Sequence, residues 1–189
     1  TAASTAAKVC ALKDHPAIIG WVVGNEWNYN NLAQDISFDD AVTKVGVMID
    51  AIKENDDTRP ASTIYGALPP EWVVNALSNV DLWGINHYPG VSFYDFFSQW
   101  AAIHDGPLYF GEYGSDVYDS RINATNEAMQ ATIVEDLTQE IYDNASNLGL
   151  GVSIGGFVFE FNDEWWKYQD GGWYVHDTAP SWSNGGYPD

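Results

Sequence analysis

The stretch HPAIIGWVVGNEWN at residues 15–28 decides the fold class of this chain. Its central run, residues 18–24, is apolar and lacks strict alternation with polar residues, which is typical of a parallel strand covered on both faces. The run leads directly into Asn25 and Glu26. The stretch therefore predicts a buried parallel strand that presents an amide and a carboxyl group at its C-terminal end.

Runs of the same kind predict four more strands, at residues 61–65, 80–86, 107–111 and 153–161. Segments with helical spacing lie between them, at residues 42–52, behind a capping-box-like pattern at 37–40, and at residues 129–141. Shorter helices are predicted at residues 70–77 and 92–104, and a helix at residues 5–13 precedes the first strand. This alternation of strand and helix predicts an α/β protein with a parallel sheet.

The predicted strands begin about 34 residues apart on average, so eight such units would need about 270 residues, close to the ~250 of an eight-stranded (β/α) barrel. The chain of 189 residues holds five of them. The spacing therefore predicts either an open five-stranded sheet or the C-terminal part of a barrel whose first three strands lie elsewhere. Because no linker divides the chain, we expect one domain at residues 1–175 and a polar tail at residues 176–189.

The composition excludes several classes of protein. The chain has 27 acidic and 7 basic side chains, and its formal net charge of −20 would repel nucleic-acid phosphates and anionic membrane surfaces. Its apolar runs reach about seven residues, well below the ~20 that cross a bilayer. The hydrophobic fraction of 46% can supply a sizeable core, which excludes disorder. We therefore expect a soluble protein with no nucleic-acid or membrane partner.

The sequence gives no reason to expect a metal or a cofactor. Cys10 is the single cysteine, and the four histidines lack the spacing of metal ligands. No glycine-rich phosphate loop opens a predicted helix. A G-x-S-x-G match at residues 151–155 lies after a helix and before a strand, which is the reverse of the context that a nucleophilic serine needs.

Polar and aromatic side chains follow four of the predicted strands, at the points where the strands end. They are Asn25, Glu26 and Trp27; Asn86, His87 and Tyr88; Glu112 and Tyr113; and Glu160 with Trp165. The carboxyl ends of parallel strands meet at one edge of a sheet, so we expect these side chains to converge. Two glutamates among such neighbours can cleave a glycosidic bond, since one carboxyl protonates the leaving oxygen while the other attacks the anomeric carbon or activates water.

Four segments together resemble the clan A glycoside hydrolases. HPAIIGWVVGNEWN is similar to their fourth barrel strand, VDLWGINHYPG at 80–90 to the sixth, PLYFGEYGSD at 107–116 to the seventh and GGFVFEFNDEWW at 155–166 to the eighth. The details resemble β-glucanases and β-1,3-glucanosyltransferases, and TRPAS at 58–62 also resembles the β-galactosidase and β-glucuronidase group. The resemblance implies a TIM-type barrel of which this chain holds about five of the eight β/α units.

The resemblance also implies a role for each candidate residue. Glu26 would be the general acid/base and Glu112 the nucleophile of a retaining double displacement, with their carboxyl groups ~5 Å apart. Asn25 would hydrogen-bond the sugar 2-hydroxyl, and Tyr88 or His87 would orient Glu112. The other candidates would bind substrate, the aromatic ones by stacking on sugar faces: Trp27, Tyr113, Glu160 and Trp165.

These roles imply a hydrolase or transglycosylase that acts on a β-linked, glucan-like oligo- or polysaccharide. Because the first three strands of the family are missing, either a second segment or chain completes the barrel, or the chain is a non-catalytic structural or glycan-binding protein. The first residue is Thr rather than Met, which favours a processed chain or a part of a longer one. The acidic charge and the glycan-directed chemistry favour an extracellular location.

Overall fold

The computed structural model describes residues 1–30, 32, 36–119, 121–148 and 151–161. The predictions for Trp165, for the tail at 176–189 and for the last part of the domain at 1–175 lie outside these residues. In chain order the elements are α1 (Ala2–Leu12), β1 (Trp21–Asn25), α2 (Phe38–Lys53), β2 (Ala61–Gly66), α3 (Glu71–Ala76), β3 (Leu82–Asn86), α4 (Phe96–Ile103), β4 (Leu108–Tyr113), β5 (Tyr118–Asp119), β6 (Ala124–Thr125), α5 (Glu127–Asp143), a 3₁₀ turn (Ser146–Leu148) and β7 (Ser153–Val158).

Five of the strands form one parallel sheet in the order β1-β2-β3-β4-β7. A doubly wound open sheet reverses its strand order at some point, whereas a barrel wall adds each new strand beside the previous one. The unbroken order therefore identifies an arc of a (β/α) barrel and confirms the predicted fold class. Within the described residues β1 and β7 are the two edges of the arc. The hairpin of β5 and β6 is separate from this sheet.

The helix-covered face of the sheet holds the hydrophobic core. Helix α2 begins after Ser37, whose hydroxyl accepts a hydrogen bond from the Asp40 amide, and buries the apolar stripe that its sequence spacing predicts. Trp83 on β3, Trp100 on α4 and Phe110 on β4 are completely buried. The two indole rings meet edge to face with their centroids 6.2 Å apart. These side chains fix the helices against the sheet.

On the concave face, side chains from neighbouring segments fill the space that glycines leave. A Cβ atom at Gly84 on β3 would lie 2.6 Å from the ring of Tyr109 on β4. A Cβ atom at Gly66, at the end of β2, would overlap the ring of Tyr29. A side chain at either glycine would therefore displace a neighbouring aromatic ring.

Both edge strands expose large apolar side chains. Val22 on β1 is 54% exposed, and Phe157 on β7 is 66% exposed. Val22 is followed by the buried Val23, so the alternation of side chains along a strand turns Val22 away from the core. The ring of Phe157 meets that of Tyr109 edge-on, with centroids 6.3 Å apart. Proteins ordinarily cover or blunt such edges, because an unpaired apolar strand invites association with another strand.

Several predicted boundaries differ from the structure, and three of them have a clear local cause. The first strand begins at Trp21 rather than at residue 18, because the Trp21 amide makes the first bond of the ladder, to the Pro60 carbonyl oxygen just before β2. Helix α4 begins at Phe96 rather than at residue 92, because Tyr94 has a φ of 50°, outside the right-handed helical region. Strand β7 ends at Val158 rather than at residue 161, because this residue pairs with the last residue of β4.

Thr63 on β2 links β1 to the loop that follows it. Its buried hydroxyl accepts a hydrogen bond of 2.8 Å from the Trp27 indole and donates one of 2.6 Å to the Val23 carbonyl oxygen. Thr63→Val keeps the shape of the side chain but leaves the buried indole N–H without its acceptor. We expect the free energy of unfolding, measured by urea denaturation, to fall by about 1–3 kcal/mol.

The matched control is Thr43→Val on the exposed side of α2. The Thr43 hydroxyl donates a hydrogen bond to the Asp39 carbonyl oxygen at the helix surface, where water can replace it. This variant should change the free energy of unfolding by less than about 0.5 kcal/mol. Equal losses in the two variants would contradict a structural role for the buried hydroxyl of Thr63.

Candidate active site

The C-terminal ends of β1, β3 and β4 bring the predicted polar side chains together. Strands β3 and β4 pair with Asn86 opposite Glu112, after a register shift that follows Ile85. The pairing of β1 with β2 also shifts, between Val23 and Asn25. Such irregularities re-aim side chains at the rims of barrels and beside active sites. They occur here beside the two predicted catalytic positions.

The chain turns sharply at the end of β1, and this turn presents Glu26. Gly24 has a φ of 73° and Glu26 a φ of 46°, both in the left-handed region. The Glu26 amide still donates a hydrogen bond of 3.1 Å to the Ile64 carbonyl oxygen, so the turn stays attached to β2. A non-glycine residue in this conformation costs roughly 1–3 kcal/mol, and such residues cluster at functional sites. The backbone therefore supports Glu26 as a functional residue.

A chain of hydrogen bonds joins the two predicted catalytic glutamates. The Asn86 amide nitrogen donates to Glu26 Oε1 at 3.1 Å and to Asn25 Oδ1 at 3.1 Å. The Asn25 amide nitrogen donates in turn to Glu112 Oε1 at 3.3 Å. The Tyr88 hydroxyl donates to Glu112 Oε2 at 2.8 Å. The structure thus gathers five of the predicted strand-end residues into one network.

Of the two residues predicted to orient Glu112, the structure assigns the side-chain contact to Tyr88. The His87 ring instead stacks on Phe96, with centroids 4.7 Å apart and planes inclined by 23°, and packs near Phe93. Burial among these rings lowers the pKa of His87 to about 4, so its imidazole is neutral near pH 7. His87 still contacts Glu112 through its backbone, whose amide donates a hydrogen bond of 3.0 Å to the Glu112 carbonyl oxygen.

The structure corrects the prediction that Trp27 and Tyr113 stack on sugar faces. Each is only 3% exposed, so neither has a free ring face. Tyr113 follows Glu112 on β4, and successive side chains of a strand point to opposite faces, which places its hydroxyl 2.9 Å from Thr138 Oγ1 on α5. The Trp27 indole lies in the core, edge-on to the Tyr65 ring at 5.3 Å.

Glu160 lies two residues beyond β7, at the same edge of the sheet as Glu112, and its side chain is exposed. The peptide bond that precedes it, Phe159–Glu160, is cis. The Phe159 amide donates a hydrogen bond of 2.8 Å to the Tyr113 carbonyl oxygen, which keeps the segment beside the end of β4. A contact of Glu160 with substrate stays a prediction, as does the role of Trp165, which is outside the described residues.

Asn86 is the central residue of the site, and sequence reasoning gave it no role beyond its place at a strand end. It is 2% exposed and reaches both Asn25 and Glu26. A polar residue as the last member of a buried strand is the signal that could have identified it.

A cavity of about 390 Å³ opens beside this network, and its lining includes His87, Tyr88 and Tyr94. Its volume is within the size range of small-molecule sites.

Two further observations concern metals and membranes. No three His, Cys, Asp or Glu side chains cluster as potential metal ligands anywhere in the described ranges. None of the helices within those ranges combines the length and the apolar character that crossing a membrane would require.

The barrel arc and the paired glutamates at its C-terminal edge define the class of glycoside hydrolase barrels. Residues 3–147 match the family model of the glycosyl hydrolases family 2, TIM barrel domain. The chain therefore belongs to this family. This assignment confirms the predicted resemblance to a glycoside hydrolase barrel. No curated protein sequence matches the chain.

Solved β-glucuronidases share the fold. The Bacteroides uniformis enzyme superposes with a TM-score of 0.63 and the Ruminococcus gnavus enzyme with 0.59, each at 18% sequence identity over 85% of this chain. The Dictyoglomus thermophilum enzyme gives a TM-score of 0.54 at 18% identity over 85% of the chain and 29% of its own. The chain spans 21% of the Bacteroides protein and 29% of the Ruminococcus protein. At this identity the likeness concerns the fold alone.

The low pKa of His87 predicts a pH dependence of stability. Between its ordinary value of 6.5 and about 4, the unfolded chain binds a proton at this residue that the folded chain does not. The contribution of the neutral His87 ring to the free energy of unfolding is therefore fully present above pH 6.5 and is lost as the pH falls toward 4. His87→Gln should remove about 1–3 kcal/mol of this pH-dependent loss, measured by urea denaturation at pH 7 and pH 4.5.

His15→Gln is the matched control, because His15 is exposed in the segment between α1 and β1. It should leave the pH dependence of the free energy of unfolding as in the wild type. If the His87 variant and the wild type lose the same free energy of unfolding between the two pH values, the ring of His87 is not desolvated as described.

Proposed function

We propose that this chain carries the catalytic glutamates of a retaining β-glycoside hydrolase or transglycosylase. Glu112 is the nucleophile and Glu26 the general acid/base. The observation that carries the proposal is the single hydrogen-bonded chain Glu26, Asn86, Asn25 and Glu112, which holds two carboxyl groups at one edge of a glycoside hydrolase barrel. A retaining mechanism requires these two carboxyl groups to lie ~5–5.5 Å apart.

The reaction proceeds in two displacements. In the first, a Glu112 carboxylate oxygen forms a bond to the anomeric carbon while the glycosidic C–O bond breaks, and Glu26 gives its proton to the leaving oxygen. In the second, Glu26 takes a proton from water or from an acceptor sugar, whose oxygen attacks the anomeric carbon and releases Glu112. Water as the acceptor gives hydrolysis, and a sugar hydroxyl gives transfer.

The neighbours of Glu112 suit a nucleophile that must be correctly oriented. Its carboxylate accepts hydrogen bonds from Tyr88 at one oxygen and from Asn25 at the other, which fixes the orientation of the carboxylate. For Asn25, beside Glu112, we propose a hydrogen bond to the sugar 2-hydroxyl, a contact that strengthens in the oxocarbenium-like transition state.

For the substrate we propose a neutral, β-linked, glucan-like glycan. Recognition of a sugar carboxylate favours a lysine or arginine. In the described part of the chain, Arg121 is the basic residue in the loop after β4. Its guanidinium donates hydrogen bonds to the Asp119 carboxylate, and these bonds lower the pKa of Asp119 to about 2. The other described basic residues lie on or beside α1 and α2, or precede β2. Lys167 lies outside the described residues.

We further propose that another segment or chain completes the barrel beside β1 and β7. The exposed Val22 and Phe157 on these edge strands support this proposal, because a completed barrel has no edges and covers its inner face. In the complete protein we expect the outward amides of β1 and β7 to be protected from hydrogen exchange. In this chain alone they should exchange within the dead time of the experiment. Equal exchange in both would contradict the proposal.

The catalytic assignment is tested in the protein with its complete barrel. A 2-fluoro aryl β-glucoside should label Glu112 covalently, and Glu112→Gln should abolish both labelling and turnover. Glu26→Ala should keep activity on a dinitrophenyl β-glucoside, which needs no proton, and should gain rate from azide. The same variant should lose about 10²- to 10⁴-fold on an unactivated glucan. The product anomer, followed by NMR, should keep the β configuration.

Glu135→Gln, on the exposed side of α5, is the matched control and should keep full turnover. The corresponding aryl β-glucuronide measures substrate choice, and a higher kcat/KM for it than for the glucoside would reject the neutral substrate. Labelling at another residue would reject the assignment of Glu112. If no β-glycoside is turned over, the alternative of a non-catalytic, glycan-binding barrel replaces the proposal.

A further inference from the structure

Asn86 makes two hydrogen bonds through one atom and none through the other. Its Nδ2 donates to Glu26 and to Asn25, whereas Oδ1 is buried and accepts no hydrogen bond from the described residues. A buried acceptor without a partner lowers stability, and native structures contain few of them. The two hydrogen bonds of the NH₂ group are what this position gains in return. The amide is therefore explained by what its NH₂ group does.

The orientation of the Asn86 amide follows from its neighbours. Asn25 directs its own Nδ2 at the Glu112 carboxylate, which leaves Asn25 Oδ1 facing Asn86. If the Asn86 amide were reversed, its oxygen would face this acceptor and the Glu26 oxygen together. The network therefore admits one orientation, in which both hydrogens of Nδ2 are used.

Gly111 on β4 leaves the space that this orientation requires. A Cβ atom there would lie 2.6 Å from Asn86 Oδ1, and 3.0 and 3.1 Å from two carbons of the Ile64 side chain. In the ladder, Ile85 pairs with Phe110 and Asn86 with Glu112, so Gly111 is the residue at which the register shifts. A side chain at this position would push the carboxamide away from Glu26 and Asn25.

We propose that Asn86 is a positioning residue for Glu26 and Asn25, and that Gly111 is the glycine that allows it to reach them. This inference rests on the proposed glycosidase function. Because a donated N–H occupies Glu26 Oε1, the proton that Glu26 transfers is carried by Oε2. Asn86 thus selects the carboxyl oxygen that faces the leaving group, and it holds the Asn25 amide turned toward Glu112.

The test compares leaving groups in the protein with its complete barrel. Asn86→Ala and Gly111→Ala should each lower kcat/KM for a methyl β-glucoside by about 10- to 100-fold, since this substrate needs a correctly placed proton from Glu26. The loss on dinitrophenyl β-glucoside should be at least fivefold smaller, on the order expected when only acid catalysis is impaired. Gly46→Ala on α2, where a Cβ atom meets only ordinary contacts, is the control and should match the wild type.

A double variant separates positioning from general damage to the fold. With the Asn86 side chain removed, the methyl group that Gly111→Ala adds no longer has a carboxamide to displace, and only its tight contacts with Ile64 remain. Asn86→Ala with Gly111→Ala should therefore discriminate between the two leaving groups about as strongly as Asn86→Ala alone. A multiplied discrimination between leaving groups in the double variant, or equal losses on both leaving groups in the single variants, would overturn the inference. Failure of Glu26→Ala to discriminate between leaving groups would instead reject the proposed function. If Glu26→Ala behaves as expected but Gly111→Ala keeps wild-type activity, the inference about Asn86 and Gly111 is rejected and the proposed function is not.

Discussion

The parallel pairing of five strands in sequential order is the constraint on which the rest of the structure depends. Each helix returns the chain to the same end of the sheet, so every strand delivers its last residues to one edge. Residues 87 positions apart in the chain, Asn25 and Glu112, come within hydrogen-bonding distance for this reason. The site therefore needs no local motif, because it is assembled by the direction of the strands.

Regular pairing alone does not produce the network. Ideal strands present every second residue to one face, whereas Asn25 and Glu26 are neighbours and both reach the site. The left-handed turn at Gly24 and Glu26, together with the register shift beside it, resolves this conflict. The shift at Gly111 has a similar effect on the other side, where Asn86 and Glu112 come opposite each other. Irregular backbone at two strand ends thus brings together side chains that regular strands would direct to opposite faces of the sheet.

Strand ends were the part of this protein that the sequence could predict. Apolar runs place the strands, and the polar residues after them identify Glu26, Asn25, Glu112 and Tyr88, which the structure joins. The sequence could not show which aromatic rings have a free face for a sugar. Tyr113 and Trp27 were predicted to stack on substrate from their places at strand ends, yet both are buried. It also could not distinguish His87 from Tyr88, because the aromatic cluster that takes up the imidazole comes from α4, a separate element. The role of Asn86 required the distances themselves.

The glycines of the concave face have a consequence for the evolution of this site. At Gly66, Gly84 and Gly111 the missing side chain is replaced by a group from another segment: Tyr29, Tyr109 and Asn86 respectively. None of the three glycines has a functional side chain. All three should nevertheless tolerate almost no substitution, because the partner residue occupies the space that a side chain would need. A substitution there should become acceptable only when the partner residue changes as well, so each of these glycines should vary together with its partner.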